Sequence, residues 1–174
     1  MKSIKGIALF LTASLFYVSA VAQTKKDIVD VAAGSADHTT LVAAVKAADL
    51  VNTLKSKGPF TVFAPTNAAF EKLPEGTVAT LLKPENKAAL AGILTYHVVP
   101  GNLDAKTVLN AISKGNGKAV VTTVAGGKLS ASIEDGKVVL TDENGGKATV
   151  TATDLNGTNG VIHVIDAVLL PKAK

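Results

Sequence analysis

The stretch Phe60-Thr61-Val62-Phe63-Ala64-Pro65-Thr66-Asn67-Ala68-Ala69-Phe70 decides how this chain folds. Its first half alternates as a strand does. Pro65 lacks an N–H and ends the ladder, and Thr66 or Asn67 then offers a side-chain oxygen to the orphan amides of a helix start. Upstream, Asp37 or Thr39 can cap a helix carrying Leu41, Val42, Val45 and Ala48. Asp49 opens a further turn with Leu50, Val51 and Leu54, which Gly58-Pro59 stops. Downstream, the helix begun at Thr66 or Asn67 ends at Leu73-Pro74, and Thr77 caps a turn through Leu82. Pro84 suits the first position of a helix running through Leu90, Ile93 and Leu94.

From Tyr96 the period shortens. Tyr96–Val99 reads as a strand stopped by Pro100-Gly101, and Asp104 caps a helical turn through Leu109. Val120–Val124, Lys128–Ser132, Lys137–Leu140, Lys147–Thr153 and Val161–Leu170 then read as strands. Gly126-Gly127, Asp135-Gly136, Asn144-Gly145-Gly146, Asn156-Gly157 and Asn159-Gly160 supply the turns between them. With no internal repeat and no long linker, residues 25–171 are expected to form one α+β domain, its helices clustered in the N-terminal half.

The 174 residues are 47% apolar, too apolar for a disordered chain. Met1–Lys5 carries two lysines, Ile7–Val18 is an apolar run, and Ala20-Val21-Ala22 places small residues before Gln23. This is the plan of a secretory signal peptide over residues 1–22, cleaved after Ala22, and the run is shorter than the roughly 20 residues of a membrane span. The mature protein is therefore expected to be secreted or periplasmic, without a transmembrane anchor. Losing Lys2 and Lys5 leaves sixteen lysines against fourteen acids. So even a balance, with no arginine and only 4% aromatic residues, argues against nucleic acid as a partner. The absence of cysteine excludes disulfides and thiolate metal sites.

Catalytic patterns are missing as well. None of Ser35, Ser56, Ser113, Ser130 and Ser132 lies in Gly-x-Ser-x-Gly. His38, His97 and His163 lack the close pairing of zinc ligands. Asp142–Gly146 has a superficial likeness to a calcium loop, but Lys147 stands where its glycine should be, so a hairpin turn is the better account. Glu134-Asp135 and Asp142-Glu143 are neighbours in turns, not carboxylates facing each other across a scissile bond. The glycine clusters lead into strands and present no helix N-terminus to a phosphate. No enzymatic activity, cofactor or metal is expected.

Three segments together resemble a known family. Phe60–Phe70 is similar to the first signature of fasciclin (FAS1) domains, Thr95-Tyr96-His97-Val98-Val99-Pro100-Gly101 to their central Tyr-His segment, and Asn159–Pro171 to their closing signature. Order and spacing agree across nearly the whole mature chain. The resemblance implies a FAS1 β-wedge with a cluster of helices. It also implies an exported, non-catalytic module that serves adhesion or matrix association by binding a protein or polysaccharide. Pro65, Thr66, Asn67, Asn159, Gly160 and His163 are its structural signature residues. In animal relatives the matching Tyr-His pair, and an Asp-Ile pair before the closing signature, are implicated in integrin binding. Here those positions are Tyr96, His97, Asp154 and Leu155, the candidate partner-binding residues, with Asp154 and Leu155 expected in a loop.

The pattern adds a constraint. If 96–99 is a strand, Tyr96 and His97 point to opposite faces, with His97 inside beside Val99. Along the last strand, Val161, His163 and Ile165 share one face and Ile162 and Val164 the other, so the strand should be central and His163 buried with a hydrogen-bond partner. A second functional expectation is a carrier for an apolar small molecule such as a pigment or lipid, since the small-residue helix around Ala43, Ala44, Ala47 and Ala48 could leave a groove.

Overall fold

The computed structural model describes residues 25–172; the signal peptide read over 1–22 lies outside them. Seven α-helices are described: α1 (Ile28–Ala33), α2 (Thr39–Ala47), α3 (Val51–Lys55), α4 (Asn67–Glu71), α5 (Thr77–Leu81), α6 (Lys87–Tyr96) and α7 (Ala105–Lys114). The strands are β1 (Phe60–Pro65), β2 (Val98–Pro100), β3 (Lys118–Thr122), β4 (Lys128–Glu134), β5 (Lys137–Thr141), β6 (Lys147–Gly157) and β7 (Gly160–Ile165). They form one sheet in the order β2-β1-β7-β6-β5-β4-β3. β1 and β7 run parallel in the register Phe63↔His163, and the other pairs are antiparallel. Beyond β3, the Val124 N–H donates to Val98 O of β2 at 2.8 Å, drawing the two edges of the sheet together into a wedge.

β7 is central, as its two apolar faces require. Ile162 packs into a cluster with Ile28, Leu41, Val45, Leu54, Leu90 and Leu94 of the helices. Ile165 packs into a second cluster with Val108 and Ile112 of α7 and Leu129 and Leu140 of the hairpins. The strand stops at Ile165, however, and not at Leu170. The following segment leaves the sheet because its amides are taken by side chains, described below.

Caps account for the helix starts. Thr66 Oγ1 accepts the Ala69 N–H at 3.2 Å, and Asp104 Oδ1 accepts the Thr107 N–H at 2.7 Å. α7 then continues past Leu109 to Lys114, a full amphipathic helix where only a turn was expected. α5 differs in another way: Gly76, at φ +79°, takes the capping position, and Thr77 is the first helical residue. α1 was not anticipated. Asp27 and Asp30 exchange hydrogen bonds with each other's backbone N–H in a capping box, and the Lys55 ammonium donates to both carboxylates at 2.8 and 2.7 Å. Replacing Thr66 by alanine should cost about 1 kcal/mol. Thermal melting of Thr66→Ala beside Thr66→Ser checks this, since only the serine can retain the cap.

Candidate functional site

Tyr96 and His97 do not lie in a strand. Tyr96 ends α6 and His97 follows it with helical dihedrals, so the alternation expected of 96–99 begins only at Val98. The cause is local: α6 carries its own apolar stripe as far as Leu94, and closing its last turn satisfies the His97 N–H on Leu94 O. Both side chains are buried, Tyr96 at 0% and His97 at 2% exposure, so neither offers a face to a partner in this fold.

Each is spent on internal bonds. The Tyr96 hydroxyl donates to Lys128 O at 2.8 Å and accepts the Glu143 N–H at 3.3 Å, and burial raises its pKa. Gly127 lies so close to the Tyr96 ring that a methyl group there would collide with it. His97 Nδ1 lies 2.8 Å from Ile93 O, and the Leu169 N–H donates to Nε2 at 3.0 Å. A carbonyl only accepts, so the proton sits on Nδ1 and the ring is neutral. Desolvation holds its pKa down to about 4.

The same C-terminal segment is gripped from a second side. Asp142 Oδ2 accepts the Leu170 N–H at 3.0 Å, while Oδ1 accepts the N–H groups of Asn144 and Gly146 at 2.9 and 2.7 Å. Asn144 Nδ2 donates to Leu170 O and Pro171 O. The Asp142–Gly146 turn is thus a hairpin whose carboxylate is filled by three amides. Its grip on Leu170 leaves no local sequence signal, because that partner lies 28 residues away.

The signature residues have structural work to do. Pro65 pairs with Ile165 where β1 ends. Asn67 begins α4, yet its Oδ1 accepts the Thr40 N–H at 3.0 Å, capping α2 from another element. Asn159 Oδ1 accepts the Ile28 N–H at 3.0 Å, and its Nδ2 donates to Leu54 O and Ser56 O at 2.7 and 3.0 Å. At Gly160 a side chain would run into Phe60 O. His163 is buried at 2% exposure with Nε2 2.6 Å from Leu103 O, and its ring stacks on Phe63 at 5.7 Å.

Asp154 and Leu155 do reach the surface. They sit inside β6, not in a loop, where the pairing with β7 shifts register between Ala152 and Leu155. Asp154 has φ +59°, and its carboxylate accepts the Ala105 N–H at 2.9 Å. Leu155 remains 38% exposed. Just beyond them, Gly58-Pro59, Asn102 and the turn Asn156–Gly160 border a polar cleft of about 600 Å³. Elsewhere, an apolar cavity of about 210 Å³ lies among α1, α2, α3 and the sheet, walled by residues such as Ile28, Leu41, Val45, Leu54, Val62 and Ile162. Among the described residues, no helix is long and apolar enough to cross a membrane.

Residues 36–171 match the model of the Fasciclin domain. The chain is 54% identical over 144 residues to Protein sll1483 of Synechocystis sp., covering 83% of this chain and 73% of that one. It is 35% identical to Immunogenic protein MPB70 of Mycobacterium bovis, with 97% and 81% covered. It is 39% identical to Transforming growth factor-beta-induced protein ig-h3 of Sus scrofa over 84% of this chain, but spans only 19% of that longer protein. Among solved structures it is similar to a FAS1 domain pair from the insect cell adhesion molecule Fasciclin I. The TM-score is 0.61 at 23% identity, over 75% of this chain and 43% of that one, a likeness of fold.

Proposed function

The chain belongs to the fasciclin family, and from that premise we propose that it is an exported, non-catalytic adhesion module that binds a protein or polysaccharide at the cell surface or in the surrounding matrix. The observation that carries this reading is the family match over residues 36–171, supported by the fold shared with an insect cell adhesion molecule. The Tyr96 hydroxyl and His97 are committed to internal bonds and are not part of the contact surface. Contact then falls to the surface around Asp154 and Leu155. The test is attachment of the purified mature chain to immobilised cell envelope and matrix components. Retention that drops when Leu155→Ser is introduced supports the reading; no retention on any of them overturns it.

A second reading, a carrier for an apolar small molecule, draws support from the cavity under α1. A dry cavity of roughly 150 Å³ accepts benzene, so about 210 Å³ suits an occupant on the order of ten heavy atoms, smaller than a pigment or a whole lipid. Saturating cyclohexane should raise Tm, and Val45→Phe, which projects a ring into the space, should abolish the rise. An unchanged Tm in the wild type would retire this reading.

A further inference from the structure

Resting on the adhesion reading, we propose that the polar cleft beside the β6–β7 turn binds an acidic polysaccharide, with a sugar carboxylate on Lys57 and sugar hydroxyls on Asn102, Asn156 and Thr158. The cleft is formed by the loop before β1, Asn102 after β2, and the turn between β6 and β7. Its volume of about 600 Å³ falls within the range of roughly 300–1,000 Å³ for ligand sites.

The lining contains no carboxylate and no aromatic ring. A neutral sugar has no flat face to stack on, and a protein partner has no aromatic pocket to anchor in. What the cleft does offer is unspent polar chemistry. Among the described residues, the side chains of Lys57, Asn102 and Thr158 have no hydrogen-bond partner. Asn156 uses its Nδ2 on Asp154 O at 2.9 Å and leaves Oδ1 free.

Charge decides which sugar fits. Lys55 is held by Asp27 and Asp30, whereas Lys57 is paired with nothing among the described residues. The Thr158 N–H donates to Lys26 O at 2.9 Å, so the chain at Lys25-Lys26 runs beside the turn and brings two exposed lysines. The four lysines outnumber Asp27, Asp30 and the nearby Asp154 by one. Asp154 keeps its charge but is held back by the Ala105 N–H, which its carboxylate accepts at 2.9 Å. A carboxylate on Lys57 makes a charge-assisted bond, stronger than the neutral hydroxyl contacts around it.

The cleft is also built in advance. Asn159 ties the β6–β7 turn to α1 and to the end of α3 through three hydrogen bonds. A methyl group at Gly58 would strike Asn159 O, and one at Gly160 would strike Phe60 O, so the two walls meet backbone to backbone. A ligand entering such a site loses little affinity to ordering it.

The experiment is calorimetric titration of the mature chain with polygalacturonate, with neutral dextran as control, at physiological salt, alongside attachment to the producing cell's own envelope. The expected result is binding of polygalacturonate and not of dextran, weakened about tenfold or more in Lys57→Gln and in Asn102→Ala. Lys147→Gln, at the opposite end of β6 from the cleft, should bind as the wild type does. Absence of polygalacturonate binding, equal binding of dextran, or unchanged binding in both cleft variants overturns the proposal. If envelope attachment persists in that case, the adhesion reading stands with a protein partner; if attachment is lost too, both fall.

Discussion

Lowering the pH from 7 to 4 is expected to remove about 3 kcal/mol of folding stability through His97 alone. In the unfolded chain this imidazole titrates near 6.5, and in the fold burial holds it down to about 4. The folded state thus favours the neutral ring, so its contribution is complete above pH 6.5 and is lost as pH falls toward 4. The geometry gives the same sign. A proton on Nε2 would face the Leu169 N–H, setting donor against donor where a bond of 3.0 Å stood. His38, whose pKa burial also lowers, adds in the same direction. Urea unfolding at pH 7 and pH 4 measures the loss. His97→Gln, which cannot titrate, should start less stable but show a much shallower dependence over that interval. Equal slopes in the two proteins would refute the assignment.

Removing the Asn159 side chain is expected to cost about 3 kcal/mol, roughly 1 kcal/mol for each of the three hydrogen bonds it makes. Asn159→Ala leaves the Ile28 amide and two carbonyls of the α3 segment without their partner, although Ile28 itself stays buried in the helical cluster. Asn159→Asp should not rescue it, because a carboxylate keeps the acceptor for Ile28 but points charge at Leu54 O and Ser56 O. Denaturant melts give the magnitude, and amide exchange at Ile28 gives the location. A loss below 1 kcal/mol, or exchange unchanged at Ile28, would show that α1 is held by its other contacts.

These two side chains also mark what could be read from sequence. The hairpins from β3 to β6 were legible because alternation and Gly-containing turns are local signals, and the helix start at Thr66 because a cap lies within three residues of what it caps. The central position of β7 followed from apolar residues on both faces. Tyr96 and His97 were misplaced because a four-residue apolar run carries no period of its own, and the stripe of α6 claims both residues. Helix α1 was missed because its short apolar run is stabilised by Lys55 and Asn159, both far along the chain. The bulge at Asp154 has the same origin: a positive φ at a non-glycine residue is held there by Ala105. The polar cleft could not be found from sequence, since Lys57, Asn102 and Thr158 meet only through folding.

The strand order has a consequence for biosynthesis. β1 and β2 form one ribbon and β3 to β6 another, and β7, the last of the described strands, is the plank between them. Without β7 the two ribbons keep contacts at their outer edges, such as the Val124–Val98 bond, and face each other across an open seam. The sheet therefore becomes continuous only once residues 160–165 have been made, after all the other described strands.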